Sequence, residues 1–156
     1  MNPKRVLSKE TIVMRLKSNS KDGVIEELID VLVASGKIQD RKAALKAVVD
    51  REKKMSTGLQ NGIAIPHGKT DTIESLVAAI GICPDGIAFE SLDGLPAQII
   101  LLTVSPASRT GPHIQFLADV SRVLHNEETR KRVLSASTEE DVLDLLSSEG
   151  SSAPST

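Results

Sequence analysis

The residues best placed to do chemistry in this 156-residue chain are its three histidines, His67, His113 and His125. His67 stands between Pro66 and Gly68 at the end of the short apolar run Ile63-Ala64-Ile65, so a stiff residue precedes it and a permissive one follows. Such a setting holds an exposed imidazole at a strand-to-loop edge, where a nucleophile or acid–base group is useful. His113 follows Gly111-Pro112, which predicts a place in the first turn of a helix. The positive end of the helix dipole disfavours imidazolium there, so its pKa is expected to fall. A neutral ring donates one hydrogen bond and accepts another, which suits it to supporting an anion such as a phosphoryl oxygen. His125 falls at the far end of the same helix, where a cation is favourable in any case, and it receives no function. Arg51, read alone, is a solvated cation at a helix C-terminus.

Other chemistries lack an anchor. Cys83 is the single cysteine, no paired Cys/His spacing accompanies it, and its place at the end of an apolar run predicts a buried inert thiol rather than a metal ligand. Neither a Walker-type glycine loop nor a Gly-x-Ser-x-Gly elbow occurs, so no nucleotide, metal or other cofactor is expected. Lys plus Arg number 19 against 21 Asp plus Glu, net charge is -2, and the chain has two Phe with neither Trp nor Tyr. That composition offers no basic field for duplex DNA and no aromatic platform for single strands, so nucleic acid is not an expected partner. The longest apolar runs, about 77–83 and 99–104, are too short to cross a bilayer, and no apolar h-region follows Lys4 and Arg5. The sequence reading is therefore a cytoplasmic protein without direct membrane insertion.

The elements that must position these residues follow from periodicity. Val24, Ile25, Leu28, Ile29, Val31 and Leu32 recur at helical spacing after Asp22, with Gly36 as a stop signal. Asp40 is a good N-cap for a second helix carrying Ala44, Leu45, Val48 and Val49 and running toward Asp50, Arg51 and Glu52. A weaker helix from Ser8 would use Ile12, Val13 and Leu16. Gly58, Gly62, Pro66 and Gly68 then break any helix and leave residues 62–65 extended. Two apolar runs, 76–83 and 98–104, bounded by Pro84-Asp85-Gly86 and Ser105-Pro106, read as strands buried on both faces, and 87–89 as a further short strand. Helices are predicted after Gly111-Pro112, over 127–134, and after Thr138. The pattern predicts one α/β domain over 1–147, a single sandwich of a mixed β-sheet flanked by helices, with 148–156 a disordered Ser-rich tail.

The stretch from Arg51 to Lys69, REKKMSTGLQNGIAIPHGK, resembles the active-site segment of the fructose/mannitol-type EIIA family of the phosphoenolpyruvate:sugar phosphotransferase system, including its nitrogen-regulatory branch. The resemblance runs from about Leu7 to Leu146 and takes in a second signature, a histidine opening a helix, at Gly111-Pro112-His113-Ile114-Gln115-Phe116-Leu117. It implies a phosphotransferase that works through phosphohistidine. His67 would accept the phosphoryl group from phospho-HPr, or from its nitrogen-branch counterpart, and pass it to an EIIB protein or domain. It also implies that His113 supports the phosphorylated ring, that Arg51 is a phosphate partner, and that Nε2 is the reacting nitrogen. Thr57 and Asn61 are weaker candidates for shaping the phosphate pocket. The chain departs from the family pattern at Asp50, where a Glu commonly precedes the Arg, and at Leu59-Gln60.

Elementary chemistry agrees with these roles. Phosphoryl transfer through a loose transition state asks mainly for in-line positioning and neutralisation of oxygen charge. A neutral imidazole nucleophile, a second imidazole and one guanidinium suffice. An alternative reading keeps the phosphorylation but makes it a signal. The protein would then be a nitrogen-regulatory-type EIIA whose regulatory protein targets dock in one charge state only, since a phosphoryl group changes a surface patch by about two charges.

Overall fold

The computed structural model describes residues 3–109 and 111–151. The helical periodicity of the first third becomes two 14-residue helices packed against each other, α1 (Lys21–Ala34) and α2 (Arg41–Lys54). Ser20 caps α1, its hydroxyl accepting from the Gly23 amide, so the helix starts before Asp22. Asp40 caps α2 as expected, accepting from the Ala43 amide. Val24, Ile25, Leu28, Ile29 and Leu32 on α1 and Ala44 and Val48 on α2 are all fully buried, each large aliphatic side chain contributing about 1.5–3 kcal/mol of transfer free energy.

The expected helix after Ser8 does not form. A 3-10 turn over Lys9–Thr11 gives way to a short strand, β1 (Ile12–Val13). β-branched Ile12 and Val13 gain more from pairing with the sheet than from an isolated helical turn.

The sheet is completed by β2 (Ile63–Ala64), β3 (His67–Lys69), β4 (Val77–Ile87) and β5 (Ala97–Ser105). Its order is β1-β4-β5-β2, with β3 also pairing β5. Only β4 and β5 are antiparallel; the other pairings are parallel, so the sheet is mixed. Two details differ from the sequence reading. Pro84-Asp85-Gly86 does not end β4, which continues to Ile87 through an irregularity between Ile82 and Ile87, and 88–89 add no strand. His67 stays at a strand–loop edge but opens a strand, pairing with Thr103 after the break at Ile65-Pro66, rather than ending the run Ile63-Ala64-Ile65.

Three helices, α3 (Gly111–Leu124), α4 (Glu127–Ser135) and α5 (Glu139–Ser151), follow. Thr138 accepts from the Asp141 amide at the start of α5. That helix reaches past residue 147, and 152–156 of the Ser-rich tail lie outside the described residues. Along β5, Ile100, Leu102 and Val104 face the core shared with α1 and α2, whereas Ile99 and Leu101 face the core shared with α3, α4 and α5. Helices thus cover both faces of the sheet, the sandwich expected. No helix among the described residues is long and apolar enough to cross a membrane.

Gly68 fixes how closely β3 meets α2. A Cβ there would stand 2.7 Å from the backbone of Ala47 and Val48, and backbone atoms cannot step aside as a flexible side chain can. Gly68→Ala is therefore expected to destabilise the fold by about 1–3 kcal/mol, read as a lower urea midpoint at unchanged slope. An unchanged midpoint would mean that β3 and α2 separate at no cost.

Candidate functional site

His67 and His113 meet. Their ring centroids are 5.4 Å apart and tilted by 49°. β3 carries the first ring and the first turn of α3 carries the second, and both are fastened to β5. His67 and Thr103 are register partners. The Thr103 hydroxyl lies 2.9 Å from His113 Nε2, and the Thr103 amide donates to the Pro66 carbonyl at 3.1 Å.

The hydrogen bond at His67 decides its tautomer. Nδ1 lies 2.8 Å from the Ile65 carbonyl oxygen, and a carbonyl only accepts, so Nδ1 carries the proton. In the neutral ring the lone pair is then on Nε2. The ring is half-buried, reachable from one side and held from the other.

His113 is 6% exposed. Burial pushes its pKa down to about 4, with the nearby charges of His67 and Lys69 adding to the effect. The direction is the one expected from the sequence, but burial rather than the helix dipole is the leading cause. At neutral pH the ring is uncharged and shares one N–H and one O–H with Thr103, so the pair keeps a proton for a further acceptor. Since the ring's pKa is about 6.5 when unfolded and about 4 when folded, the unfolded chain binds more protons between those values. The stability due to this group is complete above pH 6.5 and is lost as pH falls toward 4. Urea midpoints across that window are expected to fall more steeply for the wild type than for His113→Gln; equal slopes would contradict a buried neutral ring.

The remaining predicted residues divide. Arg51 lies in the last turn of α2, one turn beyond Ala47 and so on the side that meets Gly68 of β3. Its Nη1 donates to the Met55 carbonyl at 2.9 Å rather than to either histidine. Thr57 is buried, with its amide donating to Glu52 Oε2 at 2.9 Å and its hydroxyl to Oε1. Its carbonyl in turn accepts from the Ile65 amide at 3.0 Å. Thr57 thus supports the segment that holds His67. Asn61 adopts a left-handed conformation, φ 62°, and its amide donates to Asp93. It lines a cleft of about 270 Å³ with Ile63, Ile65, Leu124 and His125 that neither histidine of the pair lines. Cys83 is half-buried rather than buried.

Three contributors escaped the sequence reading. Thr103 looked like one more β-branched residue in an apolar strand; a hydroxyl in such a run was the available signal. Lys69 sits two residues after His67, on the same side of β3, and acts on His113 by its charge. Glu52 is 7% exposed and pairs with Lys21 at 2.9 Å. Burial alone would raise its pKa, but the bonds from Thr57 and Lys21 outweigh it and hold the carboxyl below its usual range.

A family described as phosphoenolpyruvate-dependent sugar phosphotransferase system, EIIA 2, matches residues 5–149. The fructose-specific EIIABC component of Bacillus subtilis is 38% identical over 141 residues, which is 90% of this chain but only 22% of that protein. The fructose-specific EIIA component of Haloferax volcanii is 36% identical over 137 residues, 88% of this chain and 89% of that protein. Among solved structures, the nitrogen regulatory protein IIA-Ntr of Neisseria meningitidis superposes with a TM-score of 0.84 at 26% identity, covering 91% of this chain and 97% of that one. Enzyme IIAMTL of Escherichia coli, solved in complex with phosphorylated enzyme IIBMTL, does so with a TM-score of 0.77 at 26% identity, covering 90% and 96%.

Proposed function

The chain belongs to the EIIA 2 family of the phosphoenolpyruvate-dependent sugar phosphotransferase system, a phosphoryl-carrying component, and from that membership we propose that His67 Nε2 is the atom that carries the group. The observation that carries this reading is the Nδ1–H bond to the Ile65 carbonyl, which leaves the Nε2 lone pair as the ring's nucleophile. The donor is phospho-HPr or its nitrogen-branch counterpart. As its N–P bond lengthens, the bond to His67 Nε2 forms, and the electron pair returns to the donor ring. The Nδ1 proton stays in place, and the Ile65 carbonyl stabilises the positive charge that the phosphorylated ring acquires. His113, neutral and 5.4 Å away between centroids, donates to a phosphoryl oxygen. Lys69 supplies positive charge on the same side, and Arg51 completes the set by leaving the Met55 carbonyl for the phosphoryl group. Onward transfer reverses the step toward a nucleophile of an EIIB partner, as the neighbour solved with phosphorylated IIBMTL suggests. The relay operates in the cytoplasm.

Incubation with phosphoenolpyruvate, enzyme I and HPr is expected to give a singly phosphorylated, acid-labile and alkali-stable protein that loses the group when an EIIB domain is added. An unmodified protein under conditions where HPr itself is phosphorylated would overturn the reading.

The likeness to IIA-Ntr favours a second reading, in which the same phosphorylation switches docking to a regulatory target. The added charge of about two units alters any contact at the rim of the site. Retention of a partner by only the phosphorylated or only the unphosphorylated form supports it; transfer to EIIB with no state-dependent partner sets it aside.

A further inference from the structure

We propose that Glu52 is a positioning residue for His67, and that the buried chain of contacts from Lys21 through Glu52, Thr57 and Ile65 selects the ring's reactive tautomer. The proposal rests on His67 being the phosphoryl acceptor only for its kinetic consequence; its structural half concerns the free protein.

Each link is short and has one direction. Glu52 ends up buried on the last turns of α2, where both carboxylate oxygens are used. Oε1 accepts from the Thr57 hydroxyl, and Oε2 accepts from the Thr57 amide at 2.9 Å and from Lys21 Nζ at 2.9 Å. Thr57 is thereby held by its side chain and its amide at once. Its carbonyl accepts from the Ile65 amide at 3.0 Å, and the Ile65 carbonyl accepts from His67 Nδ1 at 2.8 Å. Pro66, between Ile65 and His67, has no N–H and a fixed φ, so displacement of Ile65 passes to the imidazole with little freedom to absorb it. Lys21 ties the arrangement to the rest of the fold. It opens α1, lies 5.3 Å above the Phe89 ring, and also reaches Glu90 at 2.8 Å.

A carboxylate is an unusual choice for mere packing. A buried charge costs several kcal/mol in desolvation and is retained where its partners need it. Here its two oxygens accept from three protons; a neutral amide keeps one acceptor and turns the other into a donor facing the Thr57 hydroxyl, and an apolar residue leaves all three unmatched. Without them Thr57 is free to move, the Ile65 carbonyl loses its aim, and His67 is free to place its proton on either nitrogen. Rings protonated at Nε2 would then present N–H, not a lone pair, to the incoming phosphorus, and the rest would be out of line for attack.

The decisive measurement is the tautomer of His67 in the free protein, read from the two ring ¹⁵N shifts at a pH where the ring is neutral. The wild type is expected to have Nδ1 protonated and Nε2 bare. Glu52→Gln is expected to move both shifts toward a mixed population. Phosphoryl uptake from phospho-HPr should slow by about tenfold or more, with the concentration of phospho-HPr giving half-maximal rate unchanged, because Glu52 is buried away from a docking partner. Thr57→Val, which keeps the amide contact and removes only the hydroxyl, should lie between the two. If Glu52→Gln fails to fold, Thr57→Val decides. Wild-type ring shifts in a folded Glu52→Gln protein, or in Thr57→Val when it alone folds, overturn the proposal. Altered shifts with unchanged uptake would overturn the kinetic half and leave the positioning role standing, whereas phosphorylation of His67→Ala would separately reject His67 as the acceptor.

Discussion

Replacing His67 by alanine is expected to reduce phosphoryl uptake by about 10⁴-fold or more, the scale on which loss of an acting nucleophile is felt, while the fold survives. The ring is half-buried and, among the described residues, bonds to the Ile65 carbonyl, so its removal exposes an acceptor near the surface and opens no deep cavity. Neither of the other histidines replaces it. His113 is almost fully buried and its Nε2 is engaged by Thr103, and His125 is at the opposite end of α3. Intact-mass analysis after incubation with phosphoenolpyruvate, enzyme I and HPr checks this, beside a urea titration of the same preparation. A phosphorylated His67→Ala protein would mean that another residue accepts the group.

The second large effect is expected at His113. His113→Ala removes a buried ring and leaves the Thr103 hydroxyl, itself 1% exposed, without its partner, a cost of about 1–3 kcal/mol. It also removes the neutral donor beside the phosphoryl group. Loss of one such preorganised donor lowers a transfer rate by about 10²- to 10³-fold, so the folded fraction of the variant should still transfer that much more slowly. Thr103→Val separates the two effects. It keeps the shape of the strand and the His113 ring but frees the ring's Nε2, so it should cost stability of the same order with a smaller loss of rate. Comparable rates for the wild type and for the folded fraction of His113→Ala would reduce His113 to a packing residue.

The pair of histidines was legible in the sequence through the family resemblance, while local signals marked only the setting of each. Pro66 and Gly68 mark His67, and Gly111-Pro112 marks a helix start at His113. The helices were legible where an apolar stripe coincided with a cap, as at Asp40, and failed where a few β-branched residues near Ser8 had a sheet edge to join instead. The true setting of His67 was hidden for a related reason: β3 is three residues long and owes its conformation to pairing with Thr103, Val104 and Ser105 rather than to its own propensity. The supporting residues were hidden altogether. Glu52 sits among Arg51, Lys53 and Lys54 and looks like one more solvated charge until α1 brings Lys21 to it. Thr103 looks like core until α3 brings His113 to it. Asn61, picked out by the motif around it, is placed instead by the demand for a left-handed residue in the turn before β2.

Attachment of the phosphoryl group to one particular nitrogen can be observed in the phosphorylated protein carrying ¹⁵N-labelled histidine, through coupling between ¹⁵N and ³¹P and the shifts of both ring nitrogens. The expected result is coupling to Nε2 of His67, with its Nδ1 still protonated. Coupling to Nδ1 of His67, or to a nitrogen of His113 or His125, would contradict the reading of the Ile65 hydrogen bond on which the proposed chemistry depends.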